Sequence, residues 1–216
     1  MDDVLEQRMK MYLALMQEVI IRLDAMAVIS KIHTIPRKLV IEICYLELRL
    51  LCEVIALGCL VAHGDIKLSK KIENTYEADK IILALGKLKP HFYPQACLIE
   101  LQAPGRKSVT VTEADPSKHL SKEKLIALWR YTGDVLHRSP LRKFREAKRN
   151  DRADFAAINA AGHSIVSLLQ SHWIVLTPTV GLRVVLKDGT TGQPLAQLLS
   201  FSPGSNIVSM REFKLV

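Results

Sequence analysis

Cysteine is scarce in this chain, and the little there is has no pattern. Cys44, Cys52, Cys59 and Cys97 are the four thiols in 216 residues. That density excludes a small scaffold held by disulfides, and no Cys-x-x-Cys is present to seat a zinc ion. Buried free thiols in a reducing cytoplasm are the expectation. Phosphate-loop glycines are missing too: there is no Gly-x-x-x-x-Gly-Lys, and Gly181, Gly189, Gly192 and Gly204 sit in turn-like contexts. No Gly-x-Ser-x-Gly elbow surrounds Ser164. His163 and His172 stand nine residues apart, a poor spacing for one metal. Neither a metal nor a cofactor is expected.

Long uncharged apolar runs are also absent. The most hydrophobic stretch, Leu39 to His63, carries Glu42, Glu47, Arg49 and Glu53. Each such charge at mid-bilayer costs about 2.5–3.5 kcal/mol. Only Val54 to Ala62 is free of charge, about half a span. The opening Met1-Asp2-Asp3 is acidic where a secretory signal needs basic residues. A cytoplasmic chain without a membrane anchor is the expectation.

What the chain does have is apolar surface, 49% of residues against 24% charged, enough to offset chain entropy and build a core. From Leu5 to Ile32, Met9, Leu13, Met16, Ile20, Leu23 and Ala27 recur at helical spacing. Pro36 breaks the pattern, and a second helix is predicted from about Arg37 to His63, closed by Gly64. Ser69 is the expected cap of a third, running through Ile72, Tyr76, Ile81 and Leu85. Around Ala103-Pro104-Gly105-Arg106, two β-prone runs (97–101 and 108–112) predict a hairpin. Ser121 opens a fourth helix with Leu125, Leu128, Trp129, Val135 and Leu136 on one side. Ser139-Pro140 restarts a short helix, and Asp151 caps a last one reaching about Ser171. Trp173–Thr177, Leu182–Leu186 and Leu195–Phe201 then read as three strands of an antiparallel meander. The predicted fold is mainly α: a helical bundle over 1–171 with its mid-chain hairpin (97–112), and a small β appendage over 172–216 packed on it, with Trp173 shielded by the helices.

The net charge of +8 is uneven. Residues 1–64 carry −1, 65–100 carry +1, 101–152 carry +7 and 153–216 carry +1. The excess is densest in Arg138, Arg142, Lys143, Arg145, Lys148 and Arg149. On a helix, Arg142, Arg145 and Arg149 share one face, which suits a phosphate backbone. Only Phe144 interleaves with them, so no base-stacking platform is indicated. RNA or another polyanion is the partner this segment predicts. Just before it, Arg130, Asp134 and His137 fall on one side of the fourth helix, opposite its apolar stripe. Histidine suits proton transfer near neutral pH, and arginine holds phosphate in two-point fashion. The alternative for Arg130 is a surface pair with Asp134. For Arg49 and Glu53 the expected state is an ion bridge, or else the wall of a cleft facing Arg130.

In the pair Arg130 and His137, with six residues between them, the chain resembles the HEPN domains, all-helical modules of bacterial defence and RNA processing. The resemblance covers the helices to about Ser171. It implies metal-independent RNA cleavage by Arg130 and His137, with Asp134 as an orienting partner, in a site assembled across a homodimer. Tyr131 departs from that pattern, where a small polar residue is frequent after the arginine. A second reading, from another class, is a non-catalytic interaction or regulatory module that docks an acidic protein through the basic segment.

Overall fold

A computed structural model of the protein describes residues 2–64, 72, 74–101, 109–113, 115, 118–137, 151–201 and 207–215. Among them are five helices and six strands. The helices are α1 (Asp2–Ile29), α2 (Arg37–Ala62), α3 (Ala78–Leu88), α4 (Lys122–Leu136) and α5 (Asp151–Leu169). The strands are β1 (Gln95–Leu101), β2 (Val109–Glu113), β3 (Ser171–Thr177), β4 (Val180–Val185), β5 (Leu195–Phe201) and β6 (Ile207–Lys214). The chain is mainly helical, with a sheet towards its C-terminus, as its periodicities predict. The Ser139-Pro140 helix and the segment Arg138 to Arg149 lie outside the described residues.

Pro36 supplies the extended residue before α2 (φ −53°, ψ 132°), and its ring presets the first turn. α2 is the central helix, packed against α1, α3, α4 and α5. α1 runs antiparallel to it. Arg8 donates to the carbonyls of Val61 and Ala62, satisfying the orphan acceptors at the end of α2, while Arg22 reaches Glu47 at 2.9 Å. α1 buries Met9, Leu13, Met16 and Ile20 as predicted, but Ala27 is exposed and Tyr12, Val19 and Met26 are buried instead. The predicted cap of α3, Ser69, lies outside the described residues. Ile72 is helical, but the helix is interrupted at 74–77 and α3 runs from Ala78. Thr75 N–H closes a turn on Ile72 O, and Glu77 N–H bonds the Thr75 hydroxyl, so Tyr76 lies before the helix and is exposed. Side chains that bond nearby backbone groups compete with helix there.

The sheet is larger than the predicted meander. Its order is β2-β1-β3-β4-β5-β6, antiparallel throughout. β1 and β2 pair antiparallel as the predicted hairpin requires, its turn at 102–108 lying outside the described residues. β1 joins the other strands through Gln95↔Trp173 and Ala96↔His172. β6, which was not predicted, pairs with β5 in a register that sets Phe213 beside Ala196. Alternation then sorts the two faces. His172, Ile174, Leu182, Val184, Ala196 and Phe213 turn to the helices and are buried, and all but His172 join one apolar cluster with α1 and α2. Trp173 and Leu199 turn the other way and pack with Cys97. Trp173 is therefore buried, but not by the helices as its sequence context predicted. It lies across Gly181, where a Cβ would sit 1.7 Å from the indole, so only glycine fits. Beside it Arg183 donates to Gln197 (2.6 Å), which donates to Glu212 (3.1 Å).

Candidate functional site on helix α4

Ser121 starts α4 as predicted, its hydroxyl accepting from Lys124 N–H at 3.2 Å. Leu125 is buried, and Leu128, Trp129, Val135 and Leu136 pack on the core from the same side. α4 is held to α2 by one half-buried cluster. Arg49 donates to Trp129 O (3.0 Å), lies 4.1 Å over the Trp129 ring and pairs with Glu53 at 3.4 Å. The indole N–H donates to the same Glu53 oxygen at 2.9 Å. Thus the Arg49–Glu53 bridge forms, but it is spent on Trp129 and walls no cleft facing Arg130. Gly133 makes room for it, since a Cβ there would sit 2.7 Å from Arg49 Nη1.

This sets one expected result. Gly133→Ala gains helix propensity, about 1 kcal/mol, yet displaces a charge-assisted bond worth about 1.5–3 kcal/mol and the ring contact. Urea unfolding is expected to show a net loss of about 1 kcal/mol. Adding Arg49→Ala should turn the Gly133→Ala step into a gain.

The polar residues of α4 emerge on its solvent side. Arg130, Asp134 and His137 are all exposed. Arg130 pairs with Asp79 of α3, its Nε and Nη2 donating to Oδ2 at 3.2 and 2.9 Å, and not with Asp134. Its side chain remains 59% exposed. Asp134 makes no bond to His137, so the orienting partnership is not formed in this structure. His137 closes the helix: its N–H still bonds Gly133 O at 2.9 Å and its φ is −76°. With φ near the helical value its Cβ leaves close to the helical direction, on the side of Arg130 and Asp134. Tyr131 points away from that row, its ring edge-on to Tyr45 at 5.7 Å. The basic residues Arg138, Arg142, Lys143, Arg145, Lys148 and Arg149 follow directly in the chain, outside the described residues.

At the opposite end of α4 lies a cleft of about 320 Å³ lined by Tyr93, Gln95, His119, Ser121, Lys122 and Leu168 among others. Both ring nitrogens of His119 are buried there without a partner. The sequence reading did not single out His119. A 15-residue helix separates it from His137 by roughly 20 Å, so the two are not one site. The cysteines are free and buried, as expected. Burial pushes the Cys59 thiol up to about 12, which keeps it protonated and inert. Among the described residues no cluster of His, Cys, Asp and Glu has the form of a metal site, and no helix is long and apolar enough to cross a membrane. No protein-family model, curated protein or solved structure matches this chain.

Proposed function

We propose that this protein binds RNA along the surface that runs from the polar side of α4 into the basic segment. On the same reading Arg130 and His137 cut the bound strand without a metal, in the manner of the HEPN domains. The observation that supports it is the continuity of the exposed row Arg130, Asp134 and His137 with Arg138 to Arg149, where the chain holds its excess positive charge. Arg130 engages a phosphate by exchanging Asp79 for it. The guanidinium is exposed, but Asp79 is only 15% exposed and its Oδ1 is buried without a partner. Releasing it costs more than the ~1 kcal/mol of a fully exposed pair, and the bound phosphate has to offset that. A guanidinium offered to a phosphate in two-point fashion both orients the strand and stabilises charge developing at phosphorus.

The test is RNA binding by the full chain across a salt series. The affinity is expected to fall steeply, with a slope of about 0.7 per neutralised phosphate on a single strand. Arg142→Ala and Arg145→Ala should each weaken binding and flatten that slope by roughly one unit or less. Absence of binding at low salt would overturn the proposal and leave the basic segment to an acidic protein partner.

A further inference from the structure

Aromatic rings lie almost entirely inside this protein. Among the described phenylalanines, tryptophans and tyrosines, only Tyr76 and Tyr131 are exposed, at 72% and 49%. Both stand beside Arg130. Tyr131 follows it in α4, and Tyr76 comes three residues before Asp79, the carboxylate that Arg130 holds at 2.9 Å.

The rings come to Arg130 from two directions. Arg130 leans from α4 to the first turn of α3, and Tyr76 stands just before that turn. Tyr131 is about 100° further round α4 and leans instead towards α2 and α5. There its ring meets that of Tyr45 edge-on, and the two hydroxyls are 3.5 Å apart. Tyr45 is itself buried and donates to Asp154 of α5 at 2.9 Å. Tyr131 is thus fixed against a buried partner while half of its side chain stays open to solvent. Tyr76 is the most exposed of the large apolar side chains described. Neither ring, so placed, adds much to the core.

We infer that the RNA taken by this site is single-stranded, and that bases next to the phosphate held by Arg130 stack on Tyr76 and Tyr131. The inference rests on the RNA binding proposed above and names the form of RNA bound. A cation set between aromatic rings suits a strand in which phosphates alternate with bases. Every base has a π-face, so such stacking tolerates any sequence. In a duplex the bases already stack on one another, and the A-form grooves show side chains only sugars and base edges. Neither tyrosine finds a base face there. The basic segment offers Phe144 alone, so the aromatic surface comes from outside it, gathered by the Arg130–Asp79 pair.

Binding of the full chain to an unstructured oligouridylate, and to an RNA duplex of the same length, tests it. The single strand is expected to bind more tightly, although the duplex offers more phosphates. Tyr76→Ala and Tyr131→Ala should each weaken single-strand binding about 5- to 150-fold, the range of one base–aromatic stack. The salt dependence should keep its slope, because no phosphate contact is lost. Tyr76→Phe and Tyr131→Phe keep the rings and should bind as the wild type does. Tyr76 is exposed and lies outside any helix, so it carries the test should Tyr131→Ala disturb Tyr45 and the fold. Wild-type affinity in a folded alanine variant overturns the inference for that ring. A duplex bound as tightly as the strand overturns it altogether, as does a loss equally large in the phenylalanine variants. In each of these cases RNA binding itself still stands. No binding of either RNA at low salt overturns the RNA reading, and this inference with it.

Discussion

His137→Ala is expected to reduce RNA cleavage by the wild-type chain by about 10²–10⁴-fold while leaving RNA affinity nearly unchanged. The imidazole would take the proton of a ribose 2′-hydroxyl as its oxygen bonds to phosphorus and the bond to the 5′ oxygen breaks, the leaving 5′ oxygen taking its proton from water. That transfer belongs to the transition state and adds little to ground-state binding. Arg130→Ala should lower cleavage as well, and with it part of the affinity, because the guanidinium touches phosphate before and during the reaction. The split between the two variants is the diagnostic: His137 acts on rate alone, Arg130 on rate and binding. The proposed chemistry uses side chains only, so a chelator should leave it unchanged. Cleavage by the wild-type chain that persists in His137→Ala would assign the activity to another site. No cleavage of any RNA by the wild type would remove the nuclease and leave RNA binding to stand on its salt dependence.

Acidification should destabilise the protein by roughly 3 kcal/mol between pH 6.5 and 4 through one buried histidine. His172 is fully buried between α1 and the end of α5. Its Nδ1 lies 2.9 Å from Leu169 O, which can only accept, so the ring proton sits on Nδ1 and Nε2 accepts from the Tyr12 hydroxyl at 2.7 Å. Burial disfavours the charged ring and pushes its pKa from 6.5 down to about 4. Below pH 6.5 the unfolded chain therefore binds a proton that the folded chain refuses. The stability is fully present above about pH 6.5 and falls as the pH drops towards 4. Urea unfolding at a series of pH values should show this slope, and His172→Gln should flatten it by close to one proton. An unchanged slope in that variant would place the acid sensitivity elsewhere.

How much of this was legible in advance depends on how far apart the interacting residues lie. α1, α2, α4 and α5 follow from a 3.6-residue apolar period with Pro36 and Ser121 as punctuation. Those are local signals, each complete within a few turns of chain. The interruption at 74–77 between Ile72 and α3 was missed because it depends on one Thr75 side-chain bond competing with the helix. β6 was missed because its run Met210-Arg211-Glu212-Phe213-Lys214 has little apolar alternation of its own, and becomes a strand by pairing with β5.

The polar row on α4 was equally visible, because periodicity alone sorts one side of a helix from the other. Its electrostatic surroundings were not. Asp79 is 51 residues from Arg130 in sequence, and Arg49 is 80 from Trp129 O. Tyr12 and His172 are separated by 160 residues. By itself, then, the sequence determined the helical body, the existence of β strands and the side of α4 that meets solvent, since those are properties of neighbouring residues. Only the tertiary structure decided that Arg130 rests on Asp79, that Trp173 packs on the sheet face away from the helices, and that the Arg49–Glu53 bridge is spent on Trp129. Those outcomes depend on which distant segments come together, and backbone hydrogen bonding and core packing settle that once the whole chain is folded.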